Sequence, residues 1–106
     1  KEELFVPILC VAAYKDFDEA LKLCNESEYG LTSGIYSKKN EEINRFLDNS
    51  KSGVVYVNRT VSATTGAMVG SQPFGGWKDS GTTGKGSGGP YYLTQFLREQ
   101  SQTVVT

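Results

Sequence analysis

The sequence predicts an α/β fold: a β-α-β-α-β run, then a long glycine-rich loop, a short helix and a terminal strand. Three observations carry this. Apolar, β-branched runs alternate with amphipathic stretches up to Val57, a pattern that feeds a largely parallel sheet. Nine of the twelve glycines crowd into residues 66–89, where apolar periodicity stops. The last residues, with Val104 and Val105, regain strand character.

Pro7 to Tyr14 is a continuous apolar run and reads as a buried first strand. Asp16 is placed to cap a helix, with Glu19 three residues on completing a capping-box pair. Phe17, Ala20, Leu21 and Cys24 give that helix one apolar face, and Gly30 suits the turn after it. Leu31 to Tyr36 forms a second strand. Asn40 caps a second helix that turns Ile43, Phe46 and Leu47 inward and ends near Ser50 to Gly53. Val54 to Val57 is a third strand, and Pro90 to Leu97 starts a short helix on proline. Right-handed crossovers put both helices on one sheet face. The other face of three apolar strands is then bare, as expected of an incomplete unit.

Composition narrows the function classes. One domain fits in 106 residues, and a net charge of −1 offers no electrostatic case for nucleic acid or anionic membrane. No apolar run approaches the ~20 residues of a membrane span. Histidine is absent, which removes the commonest general base and most histidine metal sites. Cys10 and Cys24 read as buried structural thiols; without metal spacing or secretory features they fit a reducing compartment, the cytoplasm or, in a eukaryote, the mitochondrial matrix. The glycosylation sequons at Asn25 and Asn58 then read as chance.

The glycine loop is the functional candidate, because long irregular segments in compact domains are usually functional or disordered. Pro73, Phe74 and Trp77 in its middle argue for order. Gly84 to Gly89 satisfies G-x-G-x-x-G, but a polar loop precedes it and proline follows, so the strand and helix of a dinucleotide-binding turn are missing. Gly88-Gly89 before a helix has two readings: amides converging on a small anion such as a carboxylate, or a tight turn into the helix. Tyr91, Tyr92 and Phe96 follow within two turns, spaced for helix packing or for walling an apolar pocket.

Three motifs in one order complete the reading: Glu2-Glu3-Leu4-Phe5-Val6-Pro7, Gly53-Val54-Val55-Tyr56-Val57-Asn58, and Pro73-Phe74-Gly75-Gly76-Trp77-Lys78-x-Ser80-Gly81. From residue 2 onward the chain resembles the C-terminal part of the catalytic domain of aldehyde dehydrogenases. The tail Ser80 to Leu93 is similar to that of the family's pyrroline-5-carboxylate dehydrogenases, which oxidise glutamate semialdehyde to glutamate with NAD in proline degradation. The resemblance implies a three-layer α/β catalytic domain, of which residues 1–99 are the C-terminal portion and residues 100–106 a strand of the oligomerisation sheet, making a homo-oligomer. It implies that Glu3 holds the nicotinamide ribose hydroxyls of NAD and Phe5 contacts the nicotinamide ring, with Val6 standing where most relatives carry glycine. Phe74 would line the aldehyde site, the amides of Gly88 and Gly89 would anchor the substrate α-carboxylate, and Phe96 would pack on its aliphatic part. The family's cysteine nucleophile and glutamate base lie upstream in relatives, so the resemblance implies an inactive C-terminal fragment with no catalytic residue of its own. Two other readings stay open: a dehydrogenase for another semialdehyde or an aliphatic aldehyde, and a non-catalytic assembly module that binds through its bare sheet face and last strand.

Overall fold

The structure, a computed structural model, describes residues 2–61, 66–81 and 85–106. Thr82, Thr83 and Gly84, which belong to the tail motif and the G-x-G-x-x-G match, lie outside them. The described elements are α1 (Phe17–Asn25), β1 (Tyr29–Gly30), β2 (Thr32–Ile35), α2 (Asn40–Asn49), β3 (Val54–Val57), β4 (Trp77–Lys78) and a 3-10 helix (Leu93–Phe96).

Helix α1 starts as its sequence predicts. Asp16 is extended, and its carboxylate accepts the Glu19 N–H at 2.9 Å. Glu19 reaches back to the Lys15 N–H at 2.8 Å, one residue ahead of the cap, so the reciprocal pair is one residue wider than a capping box. Phe17, Ala20 and Leu21 are half-buried and face a cavity of about 200 Å³ shared with Ile35 and Phe46. Arg45 of α2 pairs with Asp18 and lies over the Phe17 ring at 5.9 Å. The far ends of the two helices are tied by one side chain. Asn25 Nδ2 donates to Asn49 O at 2.9 Å, while its Oδ1 accepts the Lys51 N–H at 2.8 Å.

The predicted cap of α2 is corrected. Asn40 is the first helical residue, the cap is Lys39, and no side chain bonds there in the manner of a cap. Ser37 takes over part of the work: its hydroxyl accepts the Lys39 N–H at 3.1 Å and donates to Glu42 at 2.7 Å. Lys39 Nζ donates to the other Glu42 oxygen at 2.9 Å. These two donors hold the Glu42 carboxyl below its ordinary pKa, and the hydrogen bond and charge of Glu42 raise that of Lys39.

Strands β2 and β3 pair in parallel, with Thr32 opposite Val54 and Ile35 opposite Val57, and α2 forms the crossover between them. Asn58 extends the ladder by donating its N–H to Ile35 O at 2.8 Å, and its side chain exchanges two further bonds with the Ser37 backbone at 2.9 and 2.8 Å. Both sequon asparagines thus spend their amides on backbone partners. Strand β1 instead pairs antiparallel with β4, Tyr29 opposite Lys78 and Gly30 opposite Trp77.

The expected strand over Pro7 to Tyr14 is absent: the segment is irregular and exposed. A ladder needs a second strand, and among the described residues none lies against it. The same reason applies to 100–106, which forms no strand within this chain. Pro90 to Leu97 shortens to a 3-10 turn over Leu93–Phe96. Cys10 and Cys24, expected to be buried, are free and exposed, although Cys24 Sγ lies 3.0 Å from Ser33 Oγ. Among the described residues, the buried hydrophobic ones are Phe46, Val54 and Ala67. A radius of gyration of 18.1 Å, against about 13 Å for a packed domain of this length, shows that the chain ends do not fold back on this core.

Candidate functional site

The described parts of the glycine loop are held by main-chain bonds more than by side-chain burial. Trp77 is 55% exposed, yet its backbone is fixed by pairing with Gly30. Phe74 is half-buried and exchanges two bonds with Ser87, its N–H donating at 2.8 Å and its carbonyl accepting at 2.9 Å. This bridge joins the two ends of the loop that the sequence singles out, because Ser87 directly precedes Gly88. Behind the bridge, Gly75 and Gly86 touch main chain to main chain: a Cβ on Gly86 would lie 2.4 Å from Gly75 N.

Gly88 and Gly89 have φ of 70° and 74°, the left-handed conformation that side chains disfavour. A Cβ on Gly88 would lie 1.9 Å from Val69 O, and one on Gly89 would lie 2.9 Å from Pro73 N. The turn is therefore fitted to bare backbone on both counts. Gly88 lines a cavity of about 80 Å³ with Pro73, Lys85, Tyr91 and Tyr92, room for a small polar group. Lys85 Nζ lies 5.4 Å above the Tyr91 ring, so a cation stands at this cavity's wall. Phe96 packs edge-to-face on Tyr92 with centroids 5.5 Å apart, one residue removed from the same cavity. A second cavity, of about 250 Å³, is lined by Phe74, Gly75, Gly76, Trp77 and Ser87.

The structure thus brings Phe74, Gly88 and Gly89 into one unit and leaves Phe96 at its margin. Glu3 and Phe5 stand in the exposed segment ahead of α1 and line neither cavity. Phe5 is 94% exposed with φ of 51°, a conformation rare for an aromatic residue. Among the described residues no cluster of histidine, cysteine, aspartate or glutamate could hold a metal ion.

Four contributors went unread in the sequence. Ser87 forms the bridge. Lys78 sends its ammonium to the carbonyls of Asn25 at 2.9 Å and Ser27 at 2.7 Å, and to Tyr29 O at 3.5 Å. Ser80 Oγ accepts the Gly30 N–H at 3.0 Å. Partners this distant along the chain leave no local signal. Lys85 is different, since a cation three residues before Gly88 could have been counted toward an anion site.

Comparison with known proteins bears on the family and the fold. The sequence model of the aldehyde dehydrogenase family matches residues 1–102. A 1-pyrroline-5-carboxylate dehydrogenase of Oceanobacillus iheyensis is 44% identical over 103 residues, covering 97% of this chain and 19% of that protein. The fold is similar to a crystal structure of 1-pyrroline-5-carboxylate dehydrogenase from Thermus with bound NAD, at a TM-score of 0.81 and 46% identity over 92% of this chain and 18% of that one. It is also similar to proline utilization A from Bdellovibrio bacteriovorus, at a TM-score of 0.80 and 41% identity over 92% of this chain and 10% of that one. The chain spans about a fifth of the length of the curated relatives it matches. On the strength of the family match over residues 1–102, the chain belongs to the aldehyde dehydrogenase family.

Proposed function

We propose that this chain forms one wall of the substrate site in an NAD-dependent dehydrogenase that oxidises glutamate 5-semialdehyde to glutamate, as in proline degradation. The single observation that carries the reading is the Gly88-Gly89 turn. Both residues hold left-handed φ and are closed on the Cβ side by Val69 O and Pro73 N, so the turn requires bare backbone, and Gly88 also borders the small cavity that Lys85 lines. Of the two readings of this turn, anion nest and simple reversal, the neighbouring Lys85 favours the nest. A substrate with an α-carboxylate uses such a nest, and an unsubstituted aldehyde does not. The 1-pyrroline-5-carboxylate dehydrogenases among the relatives support the same substrate.

In this reading Gly88 and Gly89 donate to the carboxylate, Phe96 covers the aliphatic stem, and Phe74 borders the aldehyde carbon. Glu3 and Phe5 fit a nicotinamide nucleotide: both are exposed, one as a carboxylate acceptor for ribose hydroxyls, the other as an open ring face. NAD, when bound, supplies the hydride acceptor. The covalent chemistry belongs to a thiol and a carboxylate of the whole enzyme, and this chain's part is orientation. Residues 100–106 would pair with a second subunit, which supplies the strand that they lack here. We assign the enzyme to the cytoplasm: relatives such as that of Oceanobacillus iheyensis are bacterial, and the free thiols of Cys10 and Cys24 fit a reducing compartment.

The test is steady-state kinetics of the full-length enzyme with NAD. The reading predicts a marked preference in kcat/KM for glutamate semialdehyde over propanal. Equal values for the two would refute the substrate assignment.

A further inference from the structure

Lys78 has a conformation and a set of partners that substrate contact does not explain. Its φ of 52° is left-handed, a costly setting for a residue with a Cβ, and such outliers persist only where the surroundings enforce them. Main chain and side chain both hold this one: Lys78 pairs with Tyr29 across β1 and β4, the next N–H, of Asp79, donates to Glu28 O at 3.1 Å, and the lysine side chain adds its own bonds. Its ammonium is drawn to the carbonyls of Asn25 and Ser27, at 2.9 and 2.7 Å, where α1 ends and its last carbonyls lack helical partners. That helix end is itself fixed, because the Asn25 side chain bonds Asn49, the last residue of α2, and Lys51 just beyond it. Lys78 therefore grips the best-anchored point near the loop.

From this grip a short chain of contacts leads to the candidate substrate site. Ser80 adds a second side-chain attachment through the Gly30 N–H at 3.0 Å, and Gly76 packs so closely that a Cβ would lie 2.2 Å from Ser80 O. Gly76 leads back to Phe74, and the Phe74–Ser87 bridge hands the position on to Gly88. We propose that Lys78 is a positioning residue: it locks the Phe74 arm to the end of α1 and, through the Ser87 bridge, sets where the Gly88 and Gly89 amides stand. The inference rests on reading those amides as the carboxylate anchor. A lysine that only solvates the surface, or only caps α1, would stabilise the fold without bearing on substrate choice.

The test uses the full-length enzyme and the ratio of kcat/KM for glutamate semialdehyde to that for propanal. A shift of Phe74 alone affects both substrates, so the ratio reports the glycine turn. Lys78→Met keeps the aliphatic stem and removes the ammonium. The ratio should fall by about tenfold or more, mainly through KM for glutamate semialdehyde, because misplacement by about 1 Å is enough to cost that much. The affinity for NAD should be unchanged. Lys78→Arg, which retains several donors, should recover most of the ratio. Ser80→Ala removes the second attachment and should lower the ratio by a smaller factor, which keeps the proposal testable should Lys78→Met fail to fold. A folded Lys78→Met enzyme with the wild-type ratio would overturn the inference, as would a wild-type ratio in Ser80→Ala if only that variant folds. A wild-type enzyme that shows no preference at all would instead overturn the substrate reading on which the inference rests.

Discussion

Gly88→Ala is the substitution that probes the anion nest most severely. The added methyl carbon would sit 1.9 Å from the Val69 carbonyl oxygen, whereas ordinary contact begins near 3.4 Å. Backbone must therefore separate by about 1.5 Å, and neither neighbour is a flexible side-chain end that could swing away. A left-handed alanine adds roughly 1–2 kcal/mol of its own. Hydrogen bonds from amide to carboxylate hold only over about 2.7–3.2 Å, so a shift of this size removes at least one. A bond to a charged group is worth about 1.5–3 kcal/mol, which converts to a loss of about 10- to 150-fold. The assay is calorimetric binding of glutamate to the full-length enzyme, with kcat/KM for glutamate semialdehyde beside it. Gly70→Ala is the matched control, since a Cβ there meets nothing within 4 Å. Its binding should equal wild type. If Gly88→Ala binds glutamate within about threefold of wild type while folding normally, the amides of this turn do not hold the carboxylate.

Three other outcomes follow from the packing. Asn25→Ala removes two hydrogen bonds that tie the helix ends and should destabilise the protein by about 1–3 kcal/mol in urea unfolding; Asn25→Asp keeps the acceptor for the Lys51 N–H and should recover part of that. Phe46→Ala deletes a ring only 4% exposed and should cost about 3 kcal/mol, the lower end for such a change because a 200 Å³ cavity already adjoins it; a loss under about 1 kcal/mol would mean that Phe46 is not a core residue. The Glu42 carboxyl is held below its ordinary value by Lys39 and Ser37, so its support of the α2 start is present at neutral pH and fades as pH falls through that lowered pKa. Hydrogen exchange at the first turn of α2 should accelerate over that acid range, and Glu42→Gln should remove the dependence.

How much could be read in advance depended on how far each residue's partner lies along the chain. Asp16, with its acceptor role three residues on, and Val54 to Val57, with β-branched side chains on a half-buried surface, announce themselves locally. Asn40 misleads, because cap-forming chemistry is common to Asn and Ser, and Ser37 reaches the helix start from outside it. Pro7 to Tyr14 misleads for a different reason: apolar composition supplies the side chains of a strand but not the partner that its amides require. In the candidate site, the doubled glycine before Pro90 signals a left-handed turn, as its φ values bear out. That Val69 and Pro73 wall this turn, or that Lys78 reaches back to the end of α1, is set by tertiary register. No pattern within a few residues encodes it.

The central claim is that the Gly88-Gly89 turn grips the α-carboxylate of the substrate. A crystal structure of the full-length enzyme with glutamate bound tests it most directly. The account predicts carboxylate oxygens at about 2.7–3.0 Å from the Gly88 and Gly89 amide nitrogens, with Phe96 against the stem and Phe74 near the far carboxyl carbon. A glutamate whose α-carboxylate is held elsewhere, with these amides turned to solvent or to the protein's own carbonyls, would contradict it.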